Sequence, residues 1–220
     1  MAYHRVFSPT QVSTYDLCPR QYQAKYITKE VRYVQNKYAA FGDMVHKQIE
    51  DFLNDGTPMD RSLSALGEVL SKHTDKLVCA EIALGRSGKG ESVPQYDKMA
   101  WINSKIDAVY TNADKSIIMG LDWKSGKAKE AKIQSDMNAA VLTARYKDTA
   151  KKIIMVFVHL YHDKVYVTEY DAAQLAIPHT FGKILNLEQA IRNNDFPPKP
   201  NGLCKSWCDV MKCPHNGRSK

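Results

Sequence analysis

Asp122 and Lys124 stand two residues apart at the end of an apolar run, Ile117-Ile118-Met119-Gly120-Leu121-Asp122-Trp123-Lys124. Successive side chains of a β-strand alternate faces, so the acid and the amine share one face and Trp123 turns to the other. A further acid, Asp107, lies in Lys105-Ile106-Asp107-Ala108-Val109, and the turn-rich Thr111-Asn112-Ala113-Asp114 separates the two runs. Paired through that turn, the strands bring Asp107 towards Asp122. Two converging carboxylates make a hard oxygen site suited to Mg²⁺ or Mn²⁺. Such an ion polarises a phosphoryl oxygen and lowers the pKa of bound water. An amine beside it orients the attacking hydroxide or offsets charge on the phosphate. Composition alone yields an Asp-x-Lys triplet about once in such a chain. Glu130-Ala131-Lys132 is another acidic-x-Lys triplet, read as a solvated helix start. Context sets Asp122 apart, because a charged pair ending an apolar strand is costly unless it is used.

The elements that must position these groups can be read along the chain. Ser8-Pro9-Thr10-Gln11 predicts a helix start with a capping box, running to about Cys18, where Pro19 interrupts it. A short helical stretch from Arg20 to Ile27 follows. Phe41, Val45, Ile49, Phe52 and Leu53 form the apolar stripe of a helix over about 39–53, stopped by Asn54-Asp55-Gly56. Leu63, Leu66, Val69 and Leu70 mark another helix. The glycines of 81–94 predict a plain loop, since their spacing lacks the pattern of a phosphate loop. Strands are expected over about 99–110, 116–124, 152–161 and 165–170, and a helix over about 130–146. A last helix, capped near Asp171, reaches about Asn193. Phe196-Pro197-Pro198-Lys199-Pro200 then breaks regular structure and leads into a Cys-rich tail. This order implies an α/β or α+β domain around a mixed sheet, the α/β class being the one expected.

The totals narrow the function classes. A chain of 220 residues fits one domain with a small appendage. Its formal charge of +7 favours an anionic partner such as nucleic acid or an acidic membrane surface. The start Met1-Ala2-Tyr3-His4-Arg5 shows no apolar signal region, and no apolar run reaches the ~18 residues of a membrane span. A cytoplasmic setting and no membrane partner are therefore expected. The five cysteines then suggest thiols or metal ligands rather than a disulfide framework. His46, on the helix of the 39–53 stripe, is a further metal-ligand candidate, although a lone helical His is more often structural. Lys127, Lys129 and Lys132 follow the Asp-x-Lys strand and could hold phosphates. Near the N-terminus, Tyr15, Tyr22 and Tyr26 accompany Arg20 and Lys25 and could stack on unpaired bases, although most such rings more often pack in a core.

Together these segments resemble the RecB-like nucleases of the PD-(D/E)XK superfamily, and the resemblance spans nearly the whole chain. Phe7-Ser8-Pro9-Thr10-Gln11 through Cys18-Pro19-Arg20-Gln21-Tyr22 is similar to their opening segment. Gly42 to His46 resembles their Gly-x-x-x-His motif, and Lys105-Ile106-Asp107 the strand bearing their first acid. Asp122-Trp123-Lys124-Ser125-Gly126 is close to their Asp-Tyr-Lys-Thr-Gly, and Gln134 stands where Gln-x-x-x-Tyr begins. The resemblance implies a restriction-endonuclease-like core. His46, Asp107, Asp122 and the Trp123 carbonyl would hold the metal, with Lys124 and Gln134 completing the catalytic set. Arg20, Lys127, Lys129 and Lys132 are the DNA-binding candidates. One departure is plain: the motif's Tyr falls at Asn138. Glu81 is a weaker match to a further acid and is set outside the core.

Some RecB-like nucleases, including CRISPR-associated iron–sulfur exonucleases, hold a [4Fe–4S] cluster with one N-terminal and three C-terminal cysteines. Cys18 with Cys204, Cys208 and Cys213 has that layout, although the tail spacing of x₃ and x₄ departs from the usual x₂ and x₅. The cluster would be a structural staple drawing the tail back onto Cys18. Zn²⁺ is the alternative, with His215 as a possible ligand. Cys79 has no place in either scheme and reads as a core residue. The expected organisation is a nuclease domain over 1–195, with a helical part at 8–75 and a catalytic core at about 79–195, followed by the linker and tail of 196–220. The expected function is a Mg²⁺/Mn²⁺-dependent deoxyribonuclease, an exonuclease favoured by the resemblance, in repair, recombination or phage DNA metabolism. The alternatives are a catalytically silent DNA-binding module of a recombination complex and a structural Cys-metal protein.

Overall fold

A computed structural model describes residues 5–32, 34–175 and 177–218. The chain divides into two compact units, Met1–Val6 with Gln35–Ala176, and Phe7–Val34 with Ile177–Lys220. The last helix and the tail thus share a unit with the N-terminal helices, whereas the sequence placed everything up to 195 together.

The larger unit is built on a six-stranded mixed sheet of order β2-β1-β3-β4-β5-β6. Its strands are β1 (Leu77–Ser87), β2 (Ser92–Pro94), β3 (Ala100–Thr111), β4 (Ile117–Lys124), β5 (Lys152–His159) and β6 (Lys164–Asp171). Only β4 and β5 pair in parallel. Their crossover carries a helix, as parallel neighbours require, here Lys132–Arg145 (α5). A Cβ on Gly120 of β4 would meet Leu142 Cδ1 of α5 at 2.9 Å, so the absent side chain lets α5 lie close to the sheet. Trp123, on the opposite face, is buried with Val45 and Ile49 of the helix Lys37–Asp55 (α3), and with Leu63 and Leu70 on and beside Ser64–Ser71 (α4). Helices therefore cover both faces, and the expected α/β class with a mixed sheet is the one found.

The ends of α3 follow from local chemistry. The Asn36 side chain accepts from the Tyr38 and Ala39 amides at 3.0 and 2.9 Å, starting the helix two residues before the apolar stripe suggested. Gly56 ends it at φ 76°, a left-handed conformation that suits glycine.

One expectation fails outright. The stretch 81–94 is not a loop but most of the β1–β2 hairpin. Gly85 sits within β1 because a Cβ there would come 2.7 Å from the Pro94 carbonyl oxygen. Gly90 supplies the left-handed φ of 90° at the turn. These glycines serve a close backbone approach and a turn, not an open connection. The last helix is also shorter than expected. Asp171 accepts the Ala173 amide in a local turn, and α6 (Pro178–Asn193) starts with Pro at its first position.

In the smaller unit, Ser8 and Gln11 form the expected capping box of α1 (Pro9–Leu17). Pro19–Tyr22 (α2) continues as a π-helical turn over Gln23–Ile27. Tyr22 is buried and stacks on Phe196 at 6.1 Å, with Tyr15 and Tyr26 against its ring. The Tyr15 hydroxyl donates to the Asn186 carbonyl of α6 at 3.3 Å, and Lys183 of α6 pairs with Asp16. Tyr22 is thus a core ring rather than a stacking platform.

Candidate active site

The sheet register decides where the two acids meet. β3 and β4 pair antiparallel from Thr111–Ile118 to Ala108–Leu121. One further step would set Asp107 opposite Asp122, but there the pairing ends and the strands part. The Asp107 carboxylate takes up a backbone group freed by that parting, accepting from the Trp123 amide at 2.8 Å. His46 reaches the same oxygen from α3, its Nδ1 3.2 Å from Asp107 Oδ2. Gly42, one turn earlier, brings α3 close to the exit of β4, since a Cβ there would stand 3.0 Å from the Ser125 hydroxyl.

Asp122 is buried to 2% exposure. Its Oδ1 meets the Lys124 ammonium as an ion pair without a well-directed hydrogen bond, and its Oδ2 accepts from Gln134 Nε2 at 2.5 Å. Gln134 Oε1 in turn accepts from Lys124 Nζ at 3.0 Å. Gln134, near the start of α5, thereby clamps both members of the Asp-x-Lys pair. The Phe157 ring lies beneath the ammonium, 5.4 Å from centroid to Nζ. Burial raises the Asp122 carboxyl to about 6; Lys124 opposes the rise and the charge of Asp107 adds to it. Burial would lower His46, but the hydrogen bond and charge of Asp107, with Asp122 behind them, outweigh it and the net shift is upward.

The structure thus sets two groups of contacts side by side, His46 and the Trp123 amide on Asp107 and Gln134 with Lys124 on Asp122, joined by electrostatic interaction. Asp107, Asp122 and the Trp123 carbonyl are hard oxygen donors, and His46 adds an imidazole nitrogen, a set whose chemistry fits Mg²⁺ or Mn²⁺. Among the described residues no group of three or more His, Cys, Asp or Glu side chains is placed to hold a metal ion. The acids are turned instead to Lys124, Gln134 and the Trp123 amide.

Glu81, set aside on sequence, stands on β1 between Ala80 and Ile82, which pair with Ala108 and Ile106 on either side of Asp107. It adopts φ 53°, left-handed and strained for a non-glycine, and pairs with Lys105 at 2.6 Å. Nothing in its sequence context signalled that conformation. Asn138, where the resemblance has a Tyr, is fully buried and bonded to Ser104, so it presents nothing to a ligand. Lys127, Lys129 and Lys132 are exposed, the last pairing with Asp136. Arg20 is committed to Glu30 at 2.5 Å.

In the smaller unit, Cys18, Cys204, Cys208 and Cys213 all line one small cavity, together with Arg20, Val210 and His215. All five cysteines are free thiols. The Cys18 and Cys204 sulfurs accept the Lys199 and Asn201 amides, each at 3.4 Å. The Glu30 partner chiefly, and then the charges of Cys213 and Cys18, raise the Arg20 guanidinium. Four sulfurs on one cavity, two of them accepting backbone amides, are a donor set of the type that iron–sulfur clusters and zinc use. Cys79 lies outside this set, and burial raises its thiol.

Residues 6–102 match the model of the PD-(D/E)XK nuclease superfamily. The match takes in Cys18 and His46 and ends ahead of Asp107. Helices on both faces of a mixed sheet are the arrangement expected of that superfamily's restriction-endonuclease-like core. Among solved structures, the chain is similar to the crystal structure of SSO0001, at 17% identity over 98% of this chain and 89% of that one, with a TM-score of 0.49. No curated protein matches the chain. No described helix is long and apolar enough to cross a membrane.

Proposed function

We propose that this protein is a Mg²⁺- or Mn²⁺-dependent deoxyribonuclease, with Asp107, Asp122, His46 and the Trp123 carbonyl holding the cation and Lys124 and Gln134 completing the site. The observation that carries this reading is that Asp107 and Asp122 stand just past the end of the β3–β4 pairing, near enough for the charge of Asp107 to act on Asp122. The bound cation supplies Lewis-acid polarisation of a phosphoryl oxygen and a more acidic water. Lys124 offsets charge building on the phosphate as phosphorus is attacked. Gln134 holds the Lys124 amine and the Asp122 carboxylate in a fixed relation. His46 and the Trp123 amide keep the Asp107 carboxylate oriented. The exposed Lys127, Lys129 and Lys132 lie in the segment that follows β4 and suit phosphates of the bound strand. Action at DNA ends or on single strands, in repair, recombination or phage DNA metabolism, rests on the resemblance to RecB-like nucleases.

We further propose that Cys18, Cys204, Cys208 and Cys213 hold a [4Fe–4S] cluster as a structural staple of the smaller unit. Their convergence on one cavity supports this, and zinc is the alternative with the same four ligands or His215.

The test is cleavage of end-labelled single- and double-stranded DNA with and without Mg²⁺, by wild type and by Asp122→Ala and Lys124→Ala. Each substitution is expected to lower the rate by about 10³-fold or more without unfolding the protein. Cleavage that survives both substitutions refutes the site, and Mg²⁺-independent binding without cleavage makes the chain a silent DNA-binding module.

A further inference from the structure

His159 ends β5 and is not used by the site as described. It is 4% exposed, and both ring nitrogens lack a hydrogen-bond partner. A buried imidazole with neither nitrogen satisfied is unfavourable unless something absent from the resting arrangement completes it.

Its position says what that partner is. β4 and β5 run parallel with Asp122 opposite Phe157 and Lys124 opposite His159. Opposed residues of paired strands project to the same face, so Asp122, Lys124, Phe157 and His159 form one patch. The register is locked at this point, because the Leu160 amide donates to the Lys124 carbonyl at 3.0 Å. The Lys124 side chain lies over Phe157 with its ammonium drawn to Asp122 and Gln134. His159 lies across from Lys124 on the neighbouring strand, and its imidazole and the Tyr166 ring pack in a T-shape with centroids 5.5 Å apart.

A divalent cation on Asp122 changes the balance for Lys124. Its main counter-charge is engaged elsewhere, and the cation repels the ammonium. Lys124 then needs an acceptor other than its present partners. A neutral imidazole has one acceptor nitrogen. We propose that His159 is a positioning residue for Lys124, accepting a hydrogen bond from the ammonium when a divalent cation occupies the Asp122 carboxylate. The resting ion pair with Asp122 and the loaded contact with His159 are two settings of one lysine, and Phe157 supports the ammonium in both. The proposal rests on the nuclease reading for its cation.

Two variants and two readouts test it. His159→Phe removes the acceptor and keeps an aromatic ring, and His159→Gln restores an acceptor oxygen. His159→Phe is expected to melt at or above the wild-type temperature, since an unsatisfied polar group is gone. Its kcat with Mg²⁺ falls about 10–100-fold while KM for DNA stays within about twofold, and His159→Gln recovers most of the loss. If His159→Phe does not fold, His159→Leu takes its place in both readouts. The second readout is the rate at which a succinimidyl ester acylates the Lys124 amine, followed by mass spectrometry with and without Ca²⁺. Calcium exposes Lys124 to the reagent in His159→Phe but not in wild type. Wild-type kcat in His159→Phe with no calcium-dependent change in acylation overturns the proposal, as does a His159→Gln enzyme as slow as His159→Phe. A wild type that cuts no DNA yet shows the calcium-dependent difference defeats the nuclease reading and leaves the Lys124–His159 contact standing.

Discussion

The two clusters of chemically active side chains are organised in opposite ways. Asp107, Asp122, Lys124 and Gln134 lie within one stretch of chain; sheet register sets the first three, fixing faces and spacing through backbone hydrogen bonds, and α5 brings in Gln134. Cys18 meets Cys204, Cys208 and Cys213 across almost the full length of the chain, in turns and a short 3₁₀ segment over Gly202–Lys205. The first cluster balances its charges internally, through the Lys124 ion pair and the Gln134 clamp. The second lies beside a small apolar cluster of Ala24, Val210 and Cys213, with Val31 and Cys208 packed against it. A site held by a sheet can lose a reactive group and keep its fold. If the proposed cluster is bound, the smaller unit would draw part of its stability from the ligand.

That contrast breaks most visibly in a pair of substitutions. Asp122→Ala should abolish cleavage and leave the melting temperature near wild type. Cys208→Ser should abolish the visible charge-transfer absorbance of anaerobically purified protein and lower stability by several kcal/mol, on the order of 3, while molecules that remain folded still cleave. Colourless wild-type protein with stoichiometric zinc replaces the iron–sulfur assignment, and colourless protein without metal removes it. Gln134→Ala comes next, with an expected loss of about 10–100-fold in kcat, measured in the same cleavage assay. An unchanged kcat would reduce the clamp to packing.

How far the sequence reveals each cluster follows from the same contrast. Asp122, Trp123 and Lys124 announce their alternation because β4 is short, apolar and regular. Ser8 and Gln11 likewise announce the start of α1, since a capping box depends on four consecutive residues. The β1–β2 hairpin was hidden because Gly85 marks a close approach to Pro94, a long-range fact. The place of His159 was hidden for a similar reason: it is aligned with Lys124 by a parallel pairing that crosses α5. The left-handed Glu81 beside Asp107 has no local signal at all. Regular, local geometry is legible; geometry created by distant neighbours is not.

A smaller effect sharpens the electrostatic side of the comparison. The Asp122 carboxyl titrates near 6 in the fold against an ordinary 3.8. Between these values the folded chain holds a proton that the unfolded chain has released, so stability falls as pH rises through about 6. Asp122→Asn escapes this cost. In EDTA at pH 7 it should be more stable than wild type by on the order of 1–3 kcal/mol, with the difference vanishing below about pH 4. Thermal melts across this range check the sign, and a wild type that gains stability from pH 4 to 7 relative to Asp122→Asn contradicts it. The smallest effect belongs to the exposed lysines. Lys127→Ala and Lys129→Ala should each reduce the salt dependence of DNA affinity by about one phosphate contact, with kcat unchanged.

The most direct measurement is anomalous diffraction from a crystal soaked in Mn²⁺. The account predicts a peak within inner-sphere distance, about 2.0–2.4 Å, of carboxylate oxygens from both Asp107 and Asp122, and no such peak in Asp122→Ala. A manganese ion bound elsewhere, or none at concentrations that support cleavage, would contradict it.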